Sequence, residues 1–475
     1  MSQGRPSAVV LLEIADLLAP LAARFTEAGH EVSLVGGPVR DILLGRGTTH
    51  DLDLTTDARP EEIEALVSGW ADHVWDVGMR FGTVGARKDG HHLEITTYRS
   101  ESYDPDSRKP EVSFGDSLSG DLARRDFTVN AMAVRLPSLE FIDLHDGMLD
   151  LGEGILRTPG TPEDSFTDDP LRMMRAARFV SQLGFSIAPE VLVAMGAMAS
   201  RLEIVSAERI RDELAKLLMG TFPRRGLEVL VDTGLAAYVV PELPALQLEL
   251  DEHHRHKDVY QHSLTVMEQA IDLETSHEPA SEPDLVLRLA ALLHDVGKPK
   301  TRKFEGDGGV SFHHHEVVGA RIVKKRLTAL RFPNEVIDEV SKLTELHLRF
   351  HGYGTGEWTD SAVRRYVRDA GDQLVRLHKL TRADCTTRNR RRAEALQSAY
   401  DGLEERIAVL AEQEELASIR PDLDGHRIME ILDVKPGRDV GAAYDFLLEL
   451  RLDRGPLGEE EAERELRAWW AEREA

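Results

Sequence analysis

The sequence predicts an α+β protein: a head of mixed sheet and helices over residues 1–155, then an all-helical remainder. Between residue 30 and about 150, short apolar runs alternate with Gly-rich and polar turns, the pattern of strands joined by tight connections. From about 168 onward the apolar spacing becomes almost wholly helical. A length of 475 residues also asks for more than one domain.

Taken in order, Leu11, Ile14, Leu17, Leu18 and Leu21 have helical spacing, and a helix is expected at 11–28. Five runs read as strands: HEVSLVGG, HDLDLTT, FGTVGARK, LEITTYR and NAMAVRL, with a second helix at 60–70. Polar breaks fall near 246–258, 276–283, 303–312 and 353–360. The expected division is a head (1–155), a helical neck (156–250), a metal-binding helical domain (251–395) and a C-terminal helical body or tail (396–475). Glu and Arg crowd 456–475, which reads as an amphipathic terminal helix.

A composition of 41% hydrophobic and 30% charged residues describes a globular chain and excludes a disordered one. A single cysteine, Cys385, cannot form an internal disulfide and suits a reducing compartment. Glu13 and Asp16 interrupt the N-terminal apolar stretch, so it does not read as an export signal. With no membrane-length apolar run, no membrane partner and a cytoplasmic location are expected. The net charge of −26 weighs against a nucleic-acid partner, but phosphates sense local potential only. From 361 to 395 there are ten Lys/Arg against four Asp/Glu, including Arg388, Arg390, Arg391 and Arg392. That run suits either a solvated helix face or an RNA contact.

In LVGGPVRDILLGRGTTHDLDLTT an apolar strand meets Gly36-Gly37 and a helix opens at Pro38. Two glycines there let backbone N–H groups approach a polyphosphate, and Arg40 lies one turn in, within reach of the same phosphates. Asp51 and Asp53 alternate along a strand, so both carboxylates share a face while Leu52 points to the core. A pair of Mg²⁺ ions would neutralise them and hold both oxygens of an in-line phosphoryl transfer. Farther on, ARRDFTVNAMAV groups Arg124, Arg125, Asp126 and Asn130 before a strand. DDPLRMMRAARF reads as a helix starting at Asp168, Asp169 and Pro170, with Arg172, Arg175 and Arg178 on one broad face.

These segments, GGPVRD with DLDL, RRDFTVNA and DDPLR, resemble in order the signatures of the bacterial-type (class II) tRNA nucleotidyltransferase and poly(A) polymerase superfamily. The resemblance covers roughly 30–220 and implies a polymerase-β-like head whose Asp51 and Asp53 carry the metals, with Glu94 as candidate third ligand. It implies nucleotide and ribose contacts from Arg125, Asp126 and Asn130, and base selection by Asp169 and Arg172, with Arg175 and Arg178 beside them. Asp168 stands where the family pattern has glutamate, a shorter reach, and is assigned no base contact. SAERIRDELAKLL resembles the supporting neck helix, with Arg209 and Lys216 turned to RNA. The implied activity is CCA addition to the 3′ end of tRNA from CTP and ATP. Poly(A) synthesis, or CC-only or A-only addition, uses the same head. The last two differ mainly in the loop here at 98–123.

His262, His294-Asp295, the 313–315 triplet, His347 and Asp384 are scattered along helical sequence. Imidazole and carboxylate are ligands for divalent transition metals, and His-Asp between an apolar helix and Gly-Lys-Pro is hard to explain by packing. The order resembles the HD phosphohydrolase pattern, with a primary site at His262, His294, Asp295 and Asp384. His315 and His347 are candidates for a second metal, while His313 and His314 read as surface residues. A different class of protein, an HD-type nucleotide phosphohydrolase with a degenerate head, would not need the intact Asp51/Asp53 pair. Metal identity, HD substrate and oligomeric state are left open by the sequence.

Overall fold

Strand pairing assembles the head. Seven strands, Val32–Val35 (β1), Asp51–Thr56 (β2), His73–Trp75 (β3), Thr83–Lys88 (β4), His91–Thr97 (β5), Met132–Leu136 (β6) and Glu140–Asp143 (β7), form one sheet. Their order is β3-β4-β5-β2-β1-β6-β7. β2 and β5 run parallel and every other pair antiparallel, giving the expected mixed sheet. The computed structural model describes residues 7–47, 50–75, 82–98, 115, 117–248, 258–304, 310–350, 358–386, 389–414, 416 and 419–474. Of the expected polar breaks, 249–257, 305–309 and 351–357 lie outside these residues. β3 and β7 were not among the five strand-like runs: β3 has three residues, and β7, EFID, is acidic at both ends and largely uncovered, so neither shows an apolar run.

The helices of the head are Ser7–Glu27 (α1), Gly37–Leu43 (α2), Pro60–Val67 (α3), Leu118–Ala123 (α4) and Gly147–Glu153 (α5). α1 buries Ile14, Leu18 and Leu21 of the expected stripe together with Val10 and Phe25, while Leu11 and Leu17 are half-buried, and both α1 and α3 pack on the sheet. Leu52, Leu54, Val84, Ala86, Leu93 and Ile95 are buried on one face of the central strands. The alternate positions Asp51, Arg87, His92 and Glu94 are exposed on the other.

The neck follows as Pro162–Asp168 (α6), Leu171–Leu183 (α7), Pro189–Met198 (α8), Ala207–Leu218 (α9) and Pro223–Asp232 (α10). The helix expected from Asp168 begins at Leu171 instead, and Asp168 closes α6. Asp169 between them is extended, and its Oδ1 accepts a bond from Leu171 N at 3.1 Å. Proline disfavours helical geometry in the residue before it, which separates the two helices. A short parallel bridge, Ile155–Leu156 with Ser186–Ile187, also interrupts a region expected to be purely helical.

The chain divides into two compact units, Met1–Pro241 and Glu242–Ala475. In the second, helices Val259–Ser276 and Leu285–Leu293 carry His262 and the approach to His294. A buried ion pair pins them together: Arg288 donates to both carboxylate oxygens of Glu274 at 2.8 and 2.7 Å. Helices His315–Ala329, Asn334–Leu346 and Leu374–Ala383 complete the surround. Gly425–Leu432, Arg438–Arg454 and Glu459–Glu474 share a separate apolar cluster of Leu423, Ile428, Ile431, Ala443, Leu447, Ala462 and Leu466. Among the described residues, no helix is long and apolar enough to cross a membrane.

Candidate active site and metal centre

β1 is followed by Gly36, whose φ of +74° favours glycine. A Cβ there would also lie 2.9 Å from Arg125 Nη1 and 3.4 Å from Asp53 Oδ2. The glycine turn, one guanidinium and one carboxylate therefore converge on a single spot. β2 and β5 pair in register with Asp53 opposite Glu94, so Asp51, Asp53 and Glu94 occupy the same open face. Burial pushes the Asp53 carboxyl up, Arg125 pulls it down, and Glu94 and Asp51 push it up again. A cluster of carboxylates with too little positive charge suits the divalent cation that the Asp-x-Asp spacing suggests.

Around that spot the arginines are engaged with the protein itself. Arg40 is buried and donates Nη1 to Asn130 Oδ1 at 2.7 Å, while Nε and Nη2 reach the two oxygens of Asp41 at 2.9 Å. It therefore braces the turn in this structure, whereas the sequence suggested a phosphate clamp. Arg125 is the guanidinium beside Gly36 and Asp53; its Nη2 also reaches Asp121 Oδ2 at 3.2 Å. Asp126 accepts from Asn130 Nδ2 at 2.9 Å and from Arg175 Nε at 2.7 Å and Nη2 at 2.5 Å. Burial alone would raise the Asp126 pKa, yet Arg175 and Asn130 hold it well below the ordinary carboxylate range. Asp126 and Asn130 thus tie motif to motif.

Arg178 Nε lies 2.7 Å from Glu213 Oε2, joining α7 to α9. Arg40, Arg175 and Arg178 all stand within 5.6 Å of the Phe179 ring centre. Arg172 donates to Ser165 Oγ at 2.9 Å and to the Arg124 carbonyl at 2.6 Å. Asp169 Oδ2 accepts from Arg209 Nη2 at 2.8 Å, so Arg209, expected to face RNA, holds the aspartate expected to select the base. Lys216 is exposed on the same helix, α9. The basic face read from Arg172, Arg175 and Arg178 is accordingly a set of internal bonds, Arg172 and Arg175 reaching the head motifs and Arg178 joining two neck helices. Sequence reasoning missed Asp41, Asp121 and Glu213. Asp41 was readable as the last residue of GGPVRD, while the other two had no local signal. Most of the loop at 98–123 lies outside the described residues, as does Arg388. Arg390, Arg391 and Arg392 open the helix Arg390–Gln413 and are exposed, Arg390 pairing with Glu394 at 2.8 Å.

In the second unit the six expected ligands meet as two groups, His262 with His294 and Asp384, and Asp295 with His315 and His347. Ligand atoms within each group lie within 4.8 Å of one another. Asp295 was expected in the first group; its position serves both. Oδ2 is 3.5 Å from His262 Nε2 and 3.2 Å from His294 Nε2, while Oδ1 is 3.2 Å from His315 Nε2. Three histidines donate Nδ1–H to carbonyls: His294 to Ala291 at 2.9 Å, His315 to Phe312 at 2.8 Å and His347 to Thr344 at 2.6 Å. That fixes the tautomer and leaves each Nε2 buried without a hydrogen-bond partner, the arrangement of metal-ligating imidazoles.

Gly297 explains how His315 gets there, since a Cβ at 297 would lie 2.0 Å from the His315 carbonyl oxygen. Burial would lower the His294 pKa, but Asp295 and Asp384 outweigh it and push it up to about 10, through a proton at Nε2 that a bound cation would replace. Burial and then the neighbouring His294 charge press His347 down to about 3. Lys298, which the sequence reading passed over inside HDVGKP, puts Nζ 2.8 Å from Asp295 Oδ2. His313 and His314 are exposed, as expected.

Three family models match consecutive stretches: the poly A polymerase head domain at 32–157, the probable RNA and SrmB-binding site of polymerase A at 184–246, and the HD domain at 259–389. The chain is 44% identical over 224 residues to a CCA-adding enzyme of Levilactobacillus brevis, covering 47% of this chain and 55% of that one. A CCA-adding enzyme of Leuconostoc citreum is 43% identical over 221 residues, 46% of this chain and 53% of its own. The chain thus spans about half the length of the curated relatives it matches. The crystal structure of the Bacillus stearothermophilus CCA-adding enzyme in complex with CTP is similar over 99% of both chains, with 26% identity and a TM-score of 0.68. The Thermotoga maritima CCA-adding enzyme complexed with tRNA shares the fold over 98% of this chain and 99% of its own, at 19% identity and a TM-score of 0.61. Head, neck and HD stretches are thus matched in chain order by these three models, in agreement with the resemblance of the motifs to the tRNA nucleotidyltransferase and poly(A) polymerase superfamily.

Proposed function

We propose that the protein builds or repairs the 3′-CCA end of tRNA, adding CMP, CMP and AMP from CTP and ATP with release of pyrophosphate. The observation that carries this is the convergence of Asp51, Asp53 and Glu94 on one sheet face beside the Gly36 turn and Arg125. The likeness to CCA-adding enzymes, one of them solved with CTP, favours it over poly(A) synthesis or CC-only and A-only addition. On this reading the protein works in the cytoplasm, where its substrates are.

Asp51 and Asp53, with Glu94, would hold Mg²⁺, which when bound supplies charge neutralisation and polarises the phosphoryl group. The Gly36–Gly37 turn and Arg125 receive the triphosphate, and the Arg40–Asn130–Asp126–Arg175 chain keeps the turn, the second motif and α7 in register. Phosphoryl transfer depends chiefly on positioning and charge, which such a brace provides. Asp169 and Arg172 read the base edge, exchanging their present bonds to Arg209, Ser165 and the Arg124 carbonyl for bonds to cytosine or adenine. Lys216 and Arg390 to Arg392 are assigned to RNA contact on their exposure and charge.

A second activity, hydrolysis of phosphate esters in the HD domain, is favoured by the three inward Nε2 atoms. His262, His294, Asp295, Asp384, His315 and His347 would hold divalent transition metal there, an acid to activate water.

The test is extension of a tRNA transcript lacking CCA, with Mg²⁺ and CTP, ATP or both. Two C residues from CTP, completed by one A when ATP is present, are expected. A long A tail from ATP alone would instead assign a poly(A) polymerase, and CC without the final A a CC-adding enzyme. No extension by protein of confirmed metal content would overturn the reading.

A further inference from the structure

In-line displacement puts the attacking and leaving oxygens on opposite sides of the phosphorus. On the nucleotidyl-transfer reading, which this inference deepens, the leaving pyrophosphate lies toward the Gly36 turn at the end of β1. β1 flanks the Asp51–Asp53 strand on one side; β5, β4 and β3 lie in succession on the other. The attacking 3′-hydroxyl of the RNA therefore arrives over the β5 side.

Register says what it meets there. Asp51 pairs with His92 and Asp53 with Glu94; next, Arg87 pairs with His92 and Gly85 with Glu94. Beyond them His73 pairs with Arg87, and Trp75 with Gly85. Directly paired residues project to the same side of a sheet. The face that bears the carboxylates thus continues outward through His92, Arg87, His73 and Trp75. Gly85 makes room for the indole: a Cβ there would lie 2.0 Å from Trp75 Nε1 and 2.4 Å from Cε2. Glycine within a strand marks such a close approach. The Trp75 and His92 ring centres are 6.0 Å apart, and His73, Arg87 and His92 are exposed.

We propose that the Trp75 indole is the stacking platform for the base of the RNA's 3′-terminal nucleotide, with His92, its ring tilted 58° to the indole, at the edge of that base and Arg87 on the adjoining backbone phosphate. Every base has a π face, so stacking tolerates any base. That tolerance is what repeated addition requires, because the terminal nucleotide changes after each cycle. Asp169 and Arg172, by contrast, discriminate by hydrogen bonds at the incoming base.

The experiment is steady-state extension of tRNA lacking CCA by the full-length protein, comparing wild type with Trp75→Ala, Trp75→Phe, Gly85→Val and Arg87→Ala. Trp75→Ala should raise KM for the RNA by roughly 5- to 150-fold, the factor that base–aromatic stacking contributes. KM for CTP should not change, and Trp75→Phe should restore most of the loss. Gly85→Val, which evicts the indole but keeps it in the chain, should reproduce the alanine variant. On a primer whose 3′-terminal nucleotide is abasic, wild type and Trp75→Ala should be equally weak.

An unchanged KM for RNA in a folded Trp75→Ala protein would overturn the platform, as would an equal rise in KM for CTP. If the alanine variant does not fold, the abasic primer decides with wild type alone: undiminished affinity overturns the proposal. Failure of wild type to extend any tRNA would remove the underlying nucleotidyl-transfer reading, whereas normal extension with unaltered variants removes only the platform.

Discussion

Asp53 sits where burial and the charges of Asp51 and Glu94 all oppose ionisation, and only Arg125 and Arg175 favour it. A residue so placed is kept for function at the expense of stability. Asp53→Asn should therefore raise the Tm of the metal-free protein while lowering nucleotide incorporation by ~10²–10³-fold or more. Scanning calorimetry and the extension assay would check the two halves separately. Asp126 is the opposite case. Its native pKa lies below the ordinary 3.8, so its stabilising effect is full above that value and is lost as pH falls through the depressed one. Unfolding free energy should thus fall more steeply below about pH 4 in wild type than in Asp126→Asn. At this scale the sequence singled out Asp51 and Asp53 by their alternation behind the Gly36-Gly37 turn and Arg40. It could not tell that Arg40 would be committed to Asp41 and Asn130 while Arg125 faces the turn, because guanidinium partners are set by distant chain.

Among the elements, the junction of α7 with α9 concentrates buried charge. Glu213 meets Arg178 at 2.7 Å and Arg175 at 4.0 Å, and both arginines stand over Phe179. Removing one member of a buried pair leaves the other charge uncompensated. Glu213→Ala should cost about 3–5 kcal/mol in urea unfolding and reduce incorporation with CTP and ATP alike. A loss confined to one nucleotide would argue that Glu213 acts on base choice and not on the brace. α1 and five of the strands were legible, most from a repeated pattern and the four-residue β1 from an apolar run leading into Gly36-Gly37. β3 was not, although three residues of it carry Trp75. The start of α7 was misread by three residues, because Asp168 has the sequence of an N-terminal signal but the fold spends it on closing α6.

For the molecule as a whole, a net charge of −26 coexists with local clusters of arginine, most of them paired within the fold. The two compact units each carry a constellation with its own chemistry. Asp295 is within reach of both ligand groups of the HD centre, so Asp295→Ala should release all the transition metal, and His347→Ala part of it. Metal analysis of the purified variants would read this directly. Because an ion that binds only the folded state stabilises it, wild type should lose ~4 kcal/mol on stripping if the metal stood at a thousand times its Kd. On the proposed function, extension of tRNA by Asp295→Ala should be unchanged, since the head keeps its own carboxylates.

What the sequence determined alone was which residue types are grouped in each cluster and the class of each long element. Residue type at fixed spacing dictates which side chains share a face, as with Asp51 and Asp53, or a helix junction, as with His294 and Asp295. What only the tertiary structure decided was partnership across the chain: Glu94 opposite Asp53, Asp295 between two sets of histidines, Arg209 on Asp169. Such contacts join residues that are 40 or more positions apart in the first and third cases. They depend on strand register and on glycines such as Gly297 that admit another backbone, and neither leaves a local trace in the order of residues.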